Sequence, residues 1–346
     1  MPDFFRPGAS GQSSPPESRR WFSPLRLLAV AVSAVVVIAL SRRLDRGSLL
    51  ALLRDAKPEW LLAAVTAQGL ALSCSAWRWH QMLRLTGADV NLLTSWRWTL
   101  VGHSFSAFLF GAAVSDVAKA TLYSRWRGFS VSSILAASVL DRSAGVISTI
   151  LYALTTLVVA RIAGPRLPEF GIAQGPAWRW QVLAVVGVLV AVVVSYWIQR
   201  RWLPRLRAFW RELTAMGRSL WLRPRIALLA VGVGLITQLS ISLVLACSLR
   251  AITSAPLEWI SLAWTFPVIG VVASLPVTLS GAGAREGAAM VLWAPFGIAA
   301  VSAFGAGLLT LAVNLLWAIG GSGLLWLEAT AAKRVATSSP SSPIAR

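Results

Sequence analysis

Acidic residues are scarce in this chain. Thirteen Asp and Glu stand against 32 Lys and Arg, and charged residues of both signs make up only 13% of its 346 residues. That shortage excludes an ordinary soluble domain, which carries roughly a quarter of its residues charged. Cysteine is nearly missing as well. Cys74 and Cys247 are the whole complement, each inside an apolar run, so neither a disulfide framework nor a metal-ligand spacing exists. His103 has no second His or Cys near it and reads as a satisfied polar residue rather than a metal ligand. No nucleotide, metal or nucleophile motif occurs, and no cofactor is expected.

Apolar sequence fills the space those absences leave. Hydrophobic residues reach 56% and the mean hydropathy is +0.68, the signature of an integral membrane protein. A net charge of +19 raises nucleic acid as a partner. The basic residues lie between apolar runs instead, which points to cytoplasmic loops facing anionic lipid head groups. Many of the 18 Trp fall near segment ends (Trp60, Trp77, Trp79, Trp96, Trp98 and Trp259 among them); they read as interfacial belts.

In chain order, residues 1–24 are rich in Pro, Ser, Gly and Arg and are expected to form a disordered cytoplasmic tail. Apolar spans are expected at 25–41, 60–76, 130–160, 180–198, 226–248 and 299–327. A Trp-rich polar connector holding Arg78, Trp79, His80 and Arg84 follows the second. The linker 199–225 carries eight Arg against Glu212 alone, and 331–346 reads as a polar cytoplasmic tail.

Two further stretches resist a simple crossing. Residues 98–125 carry His103, Gly111, Asp116 and Lys119. Residues 259–297 are broken by Pro267 and Pro276, loosened by Gly281 and Gly283, and hold the charge pair Arg285-Glu286. Pro removes a backbone donor and Gly weakens a helix, so neither stretch suits a straight span. If every apolar segment simply crossed, the eight-Arg linker would face outward, against the positive-inside tendency. Treating both stretches as re-entrant hairpins leaves six spans, with 21 basic residues inside and 9 outside. The expected fold is therefore an all-α integral membrane protein of six spanning helices plus two re-entrant helical hairpins. Three crossings per half invert the second half, so repeat 1 (25–162) and repeat 2 (180–327) of a membrane domain covering 25–330 form an inverted repeat. GAAVSDVA (111–118) matches GAGAREGA (281–288) weakly, aligning Gly111 with Gly281 and Asp116 with Glu286.

The segment LPVTLSGAGAREGAA resembles a signature of the lysylphosphatidylglycerol synthase membrane-domain family of flippase-like proteins. In that family a proline precedes a glycine-rich turn ending in Arg-Glu-Gly. AWRWHQMLRLTG (76–87), SFSAFLFGAAVSDVAKATLYSR (104–125) and ASVLDRSAGV (137–146) agree with it. The chain departs from the pattern in its first hairpin, where Phe110-Gly111, Val114-Ser115 and Lys119 stand in place of Pro-Gly, paired glycines and an arginine. The soluble aminoacyl-transferase domain of the full synthases is not found in the sequence. The resemblance implies a stand-alone unit of the bacterial inner membrane, both termini cytoplasmic, that moves or binds a phospholipid or lipid-linked precursor.

The candidate head-group residues are Asp116, Lys119, Asp141, Arg142, Arg285 and Glu286, expected as one cluster at the bilayer midplane. Gly111, Pro276, Gly281 and Gly283 are the expected hairpin turns. Ionisable side chains at membrane depth are costly and mark function by default; the bland reading is a static ion-pair lock between two halves. Beyond a lipid transporter, the residues admit the membrane part of a head-group transferase with Asp116 or Asp141 as base. They also admit a membrane partner of a separately encoded lipid-modifying enzyme.

Overall fold

The computed structural model describes residues 44–87, 90–108, 111–127, 129–163, 213–254, 256–274 and 281–338, together with the isolated positions 38, 39, 42, 210 and 211. The first expected span (25–41) therefore lies almost wholly outside the described residues, and the span 180–198 wholly so. Pro276 also falls outside them.

All regular structure among the described residues is helical. A short helix α1 (Arg46–Arg54) precedes α2 (Pro58–Arg84), α3 (Leu92–Phe108), α4 (Gly111–Arg127) and α5 (Val131–Ala163). After the undescribed stretch come α6 (Pro224–Ile252), α7 (Trp259–Leu262), α8 (Thr265–Ser274), α9 (Ala284–Trp293), a 3-10 turn (Ala294–Phe296) and α10 (Ala300–Ser338). Pro58 and Pro224 open α2 and α6 at first-turn positions, where a missing N–H costs nothing. Asp45 caps α1 by accepting from the Gly47 and Ser48 amides.

Helices α2, α5, α6 and α10 are long and apolar enough to cross a membrane. At 27, 33 and 29 residues, α2, α5 and α6 extend about 40–50 Å at roughly 1.5 Å per residue, more than a hydrocarbon core of about 30 Å. The chain is an all-α membrane protein.

The sequence placed a connector at 77–97. Instead α2 continues unbroken to Arg84, with no Pro or Gly after Gly69 to stop it. Arg78, Trp79 and His80 consequently lie inside the bundle, and the first pair of short helices begins at Leu92. Trp79 and Trp98 are not belt residues. Both are buried against Tyr123, edge-on, with ring centroids 5.9 and 5.1 Å from it. Trp60 and Trp259 are partly exposed.

The same packing scheme occurs twice. A long helix, two short helices and a second long helix make up each half: α2, α3–α4, α5, then α6, α8–α9, α10. Each contact in the first half has its counterpart in the second. Helix α2 packs on α3 and α5 as α6 packs on α8 and α10; α4 packs on α5 as α9 packs on α10. Between halves, α5 meets α6 and α8, while α10 meets α2 and α3, and α2 lies along α6 at the centre. Small residues permit these close crossings. A Cβ at Gly69 would lie 2.6 Å from Trp317, and one at Gly321 2.2 Å from the Leu100 carbonyl.

Candidate functional site

A cavity of about 410 Å³ opens between α2, α3, α4 and α5. Each of the longer walls contributes one helical face at i, i+3, i+4, i+7 spacing: Thr99, Gly102, His103 and Ser106 from α3, and Ser138, Asp141, Arg142 and Gly145 from α5. Helix α4 adds Ser115, Asp116 and Lys119, and α2 adds Arg78.

Charge here is wired across helices. Arg78 grips Asp141 with two N–H groups, Nε to Oδ1 at 2.6 Å and Nη2 to Oδ2 at 3.3 Å. Room for its guanidinium exists because α5 and α6 present glycines there; a Cβ at Gly145 or Gly234 would stand 3.3 Å from its terminal nitrogens. Arg142, next in sequence to Asp141, points elsewhere and donates from Nε to Asp116. Neighbours on a helix diverge by about 100°, so Asp141 and Arg142 reach different partners.

Lys119 is the unusual member. It shares a face of α4 with Asp116 (i−3) and Tyr123 (i+4). Its side chain is pressed by Gly102, where a Cβ would be 3.1 Å from Cδ. The ammonium lies 3.9 Å from the centroid of the Trp79 ring, a cation–π contact, and 3.8 Å from Asp116 Oδ1. The latter is an ion pair beyond hydrogen-bond length. Lys119 is only 6% exposed, yet its three N–H donors make no hydrogen bond with any described residue. Trp79 is in turn fixed by its Nε1–H donating to Ser138 Oγ at 3.2 Å.

Three cations, Arg78, Lys119 and Arg142, thus face two carboxylates, Asp116 and Asp141. The cavity carries one net positive charge, and its Lys119 ammonium is held by an ion pair and a cation–π contact without a hydrogen bond to a described residue. Arg142 sits at its mouth, its side chain 45% exposed. His103 Nε2 meets the Asn314 carbonyl of α10 at 3.1 Å, so it is occupied in tying α3 to the second half. Among the described residues no group of three or more His, Cys, Asp and Glu could hold a metal.

Of the six charged residues expected together, four share this cavity. Arg285 and Glu286 do not line it. Both are buried in the first turn of α9, packed on α10. Gly281 (φ 75°) and Gly283 (φ 88°) take left-handed conformations that side chains resist, which makes them true turn glycines. A Cβ at Gly281 would lie 2.6 Å from the Ala273 carbonyl at the end of α8. Gly111 begins α4. Arg78 is the site residue that sequence reasoning missed. Its signal was present: a lone Arg within a run that shows no helix breaker, against a lone Asp in the apolar stretch around residue 141.

No curated protein matches the chain. A family model, described as the lysylphosphatidylglycerol synthase TM region, matches residues 26–323. That match spans all four cavity-forming helices and both pairs of short helices, and the chain belongs to this family.

Proposed function

We propose that this chain is a flippase-like protein that translocates or binds a phospholipid or lipid-linked precursor, taking its anionic head group into the cavity between α2 and α5. The observation that carries the reading is Lys119, a buried ammonium that makes no hydrogen bond with any described residue and faces a net-positive cavity. A phosphate oxygen supplies what Lys119 lacks, and charge-assisted hydrogen bonds are about twice as strong as neutral ones. Arg142 at the mouth is the second phosphate ligand, releasing Asp116 to Lys119 or to solvent as the head group arrives. Without such a polar path, an unpaired phosphate in hydrocarbon costs several kcal/mol or more.

In this reading α3–α4 and α8–α9 are re-entrant hairpins entering from opposite faces, and the doubled packing scheme reflects an inverted repeat. The basic linker then faces the cytoplasm, both termini lie there, and the membrane is a bacterial inner membrane. No catalytic step is assigned to the chain; a separately encoded lipid-modifying enzyme is a candidate partner. Membership of a family tied to phospholipid metabolism supports a lipid ligand.

Reconstitution tests it. Proteoliposomes containing fluorescent phosphatidylglycerol, phosphatidic acid or phosphatidylcholine should show movement of the anionic lipids between leaflets at rates well above protein-free vesicles. Equal rates with and without protein for every head group would refute transport. Failure of the detergent-solubilised protein to retain any anionic lipid would refute binding as well.

A further inference from the structure

Glu286 is fully buried and the cavity does not account for it. One carboxylate oxygen, Oε2, accepts the Gly283 N–H at 2.5 Å, closing the first turn of α9. The other, Oε1, has no hydrogen-bond partner among the described residues. Helix α10 presses on it: a Cβ at Gly307 would lie 2.7 Å from Glu286 Cγ and 2.9 Å from Oε1. Around it the packing is apolar, with Ala289, Trp293, Ile269 and Ala306 in one buried cluster. The helices packed on α9 add no titratable group, since none occurs from Thr265 to Ser274 or from Ala300 to Leu327. Arg285, its neighbour on α9, interacts with it electrostatically.

A buried acceptor without a donor is expensive in such surroundings. The smallest species that satisfies it is a proton. We propose that Glu286 is a proton-carrying site, with Oε1 binding and releasing one proton per cycle. The proton comes from water on one side of the membrane and returns to water on the other, so charge and atoms balance without a further reactant. Protonation removes the negative charge that favours the N-terminus of α9 and weakens the hold on the Gly283 amide. It also takes one negative charge away from Arg285. Each effect loosens the first turn of α9, which is the movement that would let water reach Oε1.

Coupling to lipid movement rests on the function proposed above, so the test has two arms. The first is infrared spectroscopy of the purified protein in acidic to mildly alkaline buffers. A C=O band of a protonated carboxyl group should titrate in the wild type, be lost in Glu286→Gln and shift in Glu286→Asp. A spectrum in which all three proteins titrate alike overturns the site, whatever the protein transports. If Glu286→Gln does not fold, the shift in Glu286→Asp decides alone. In the second arm, proteoliposomes hold a pH gradient of one unit. With one proton per lipid, labelled phosphatidylglycerol should redistribute by up to about tenfold between leaflets. Glu286→Gln should leave it evenly distributed; a variant that still follows the gradient overturns the coupling. No lipid movement in either protein, with the infrared band present, would refute the transport reading and leave the proton site standing.

Discussion

The two pairs of short helices follow one plan and enclose opposite interiors. In the first, α3–α4 bounds an open cavity whose charges connect three helices: Arg78 of α2, Asp116 and Lys119 of α4, Asp141 and Arg142 of α5. In the second, α8–α9 is closed around apolar packing, and its carboxylate turns back on its own helix to hold the Gly283 amide. Asp116 and Glu286 occupy matching places in the weak internal repeat, yet one bridges helices and the other caps one. A duplicated scaffold therefore does not imply a duplicated site. Packing symmetry and charge placement are separate properties, and here the charged cavity lies in the first half.

The largest way to break this contrast is to cut the central ion pair of the first half. Arg78→Met leaves Asp141 partly buried without its cation, and removing one partner of a buried pair costs about 3–5 kcal/mol. The melting temperature should fall steeply, and Arg78→Met combined with Asp141→Leu should recover most of the loss. If the double variant is as unstable as the single, the pair is not what holds α2 to α5.

Lys119→Met should behave in the opposite way. Its ammonium makes no hydrogen bond with any described residue, and relief of a buried charge offsets the loss of its long ion pair and cation–π contact. Stability should therefore hold while affinity for an anionic head group falls. A hydrogen bond to a charged group is worth about 1.5–3 kcal/mol, or roughly 10- to 100-fold in binding. A parallel loss of melting temperature and binding would mark the first half as a static lock.

In the second half the contrast sharpens within one helix. Gly307→Ala drives a methyl into Glu286 and should cost about 1–3 kcal/mol by overpacking. Gly320→Ala meets nothing within 4 Å and should be neutral or stabilising by up to about 1 kcal/mol through helix propensity. Thermal denaturation of the two variants side by side decides it.

The smallest effect lies at the periphery. Hydrogen bonds from the Ser48 hydroxyl and from the Ser48 and Gly47 amides hold the Asp45 carboxyl below the usual carboxylate range. A depressed folded-state value contributes stability above the unfolded value and loses it as pH falls through the folded one. Hydrogen exchange at the Gly47 and Ser48 amides, corrected for intrinsic rates, should therefore quicken only in acid. In Asp45→Ala it should be fast throughout.

Much of the second half could be read directly. Glycine marks a turn by known backbone physics, and Gly281 and Gly283 take positive φ just before α9, whereas Pro267 lies in the first turn of α8 without ending it. The four cavity charges on α4 and α5 were visible because ionisable side chains stand out in apolar sequence. Arg78 was not, because Trp residues around it imitate an interface and its partner lies 63 residues away. Trp79 misled for the same reason: an indole at a span's end and one packed under a lysine look alike in sequence. The separation of Arg285-Glu286 from the other charges was also hidden. Cost arguments say that buried charges need partners, but not which; Glu286 found the nearest backbone amide instead of another side chain.

The central claim is that the first-half cavity binds an anionic head group through Lys119. Calorimetric titration of short-chain phosphatidylglycerol into the detergent-solubilised wild type and Lys119→Met, at matched melting temperature, tests it most directly. The account predicts saturable binding to the wild type, weakened at least about tenfold in the variant. Equal affinity in the two proteins would contradict it.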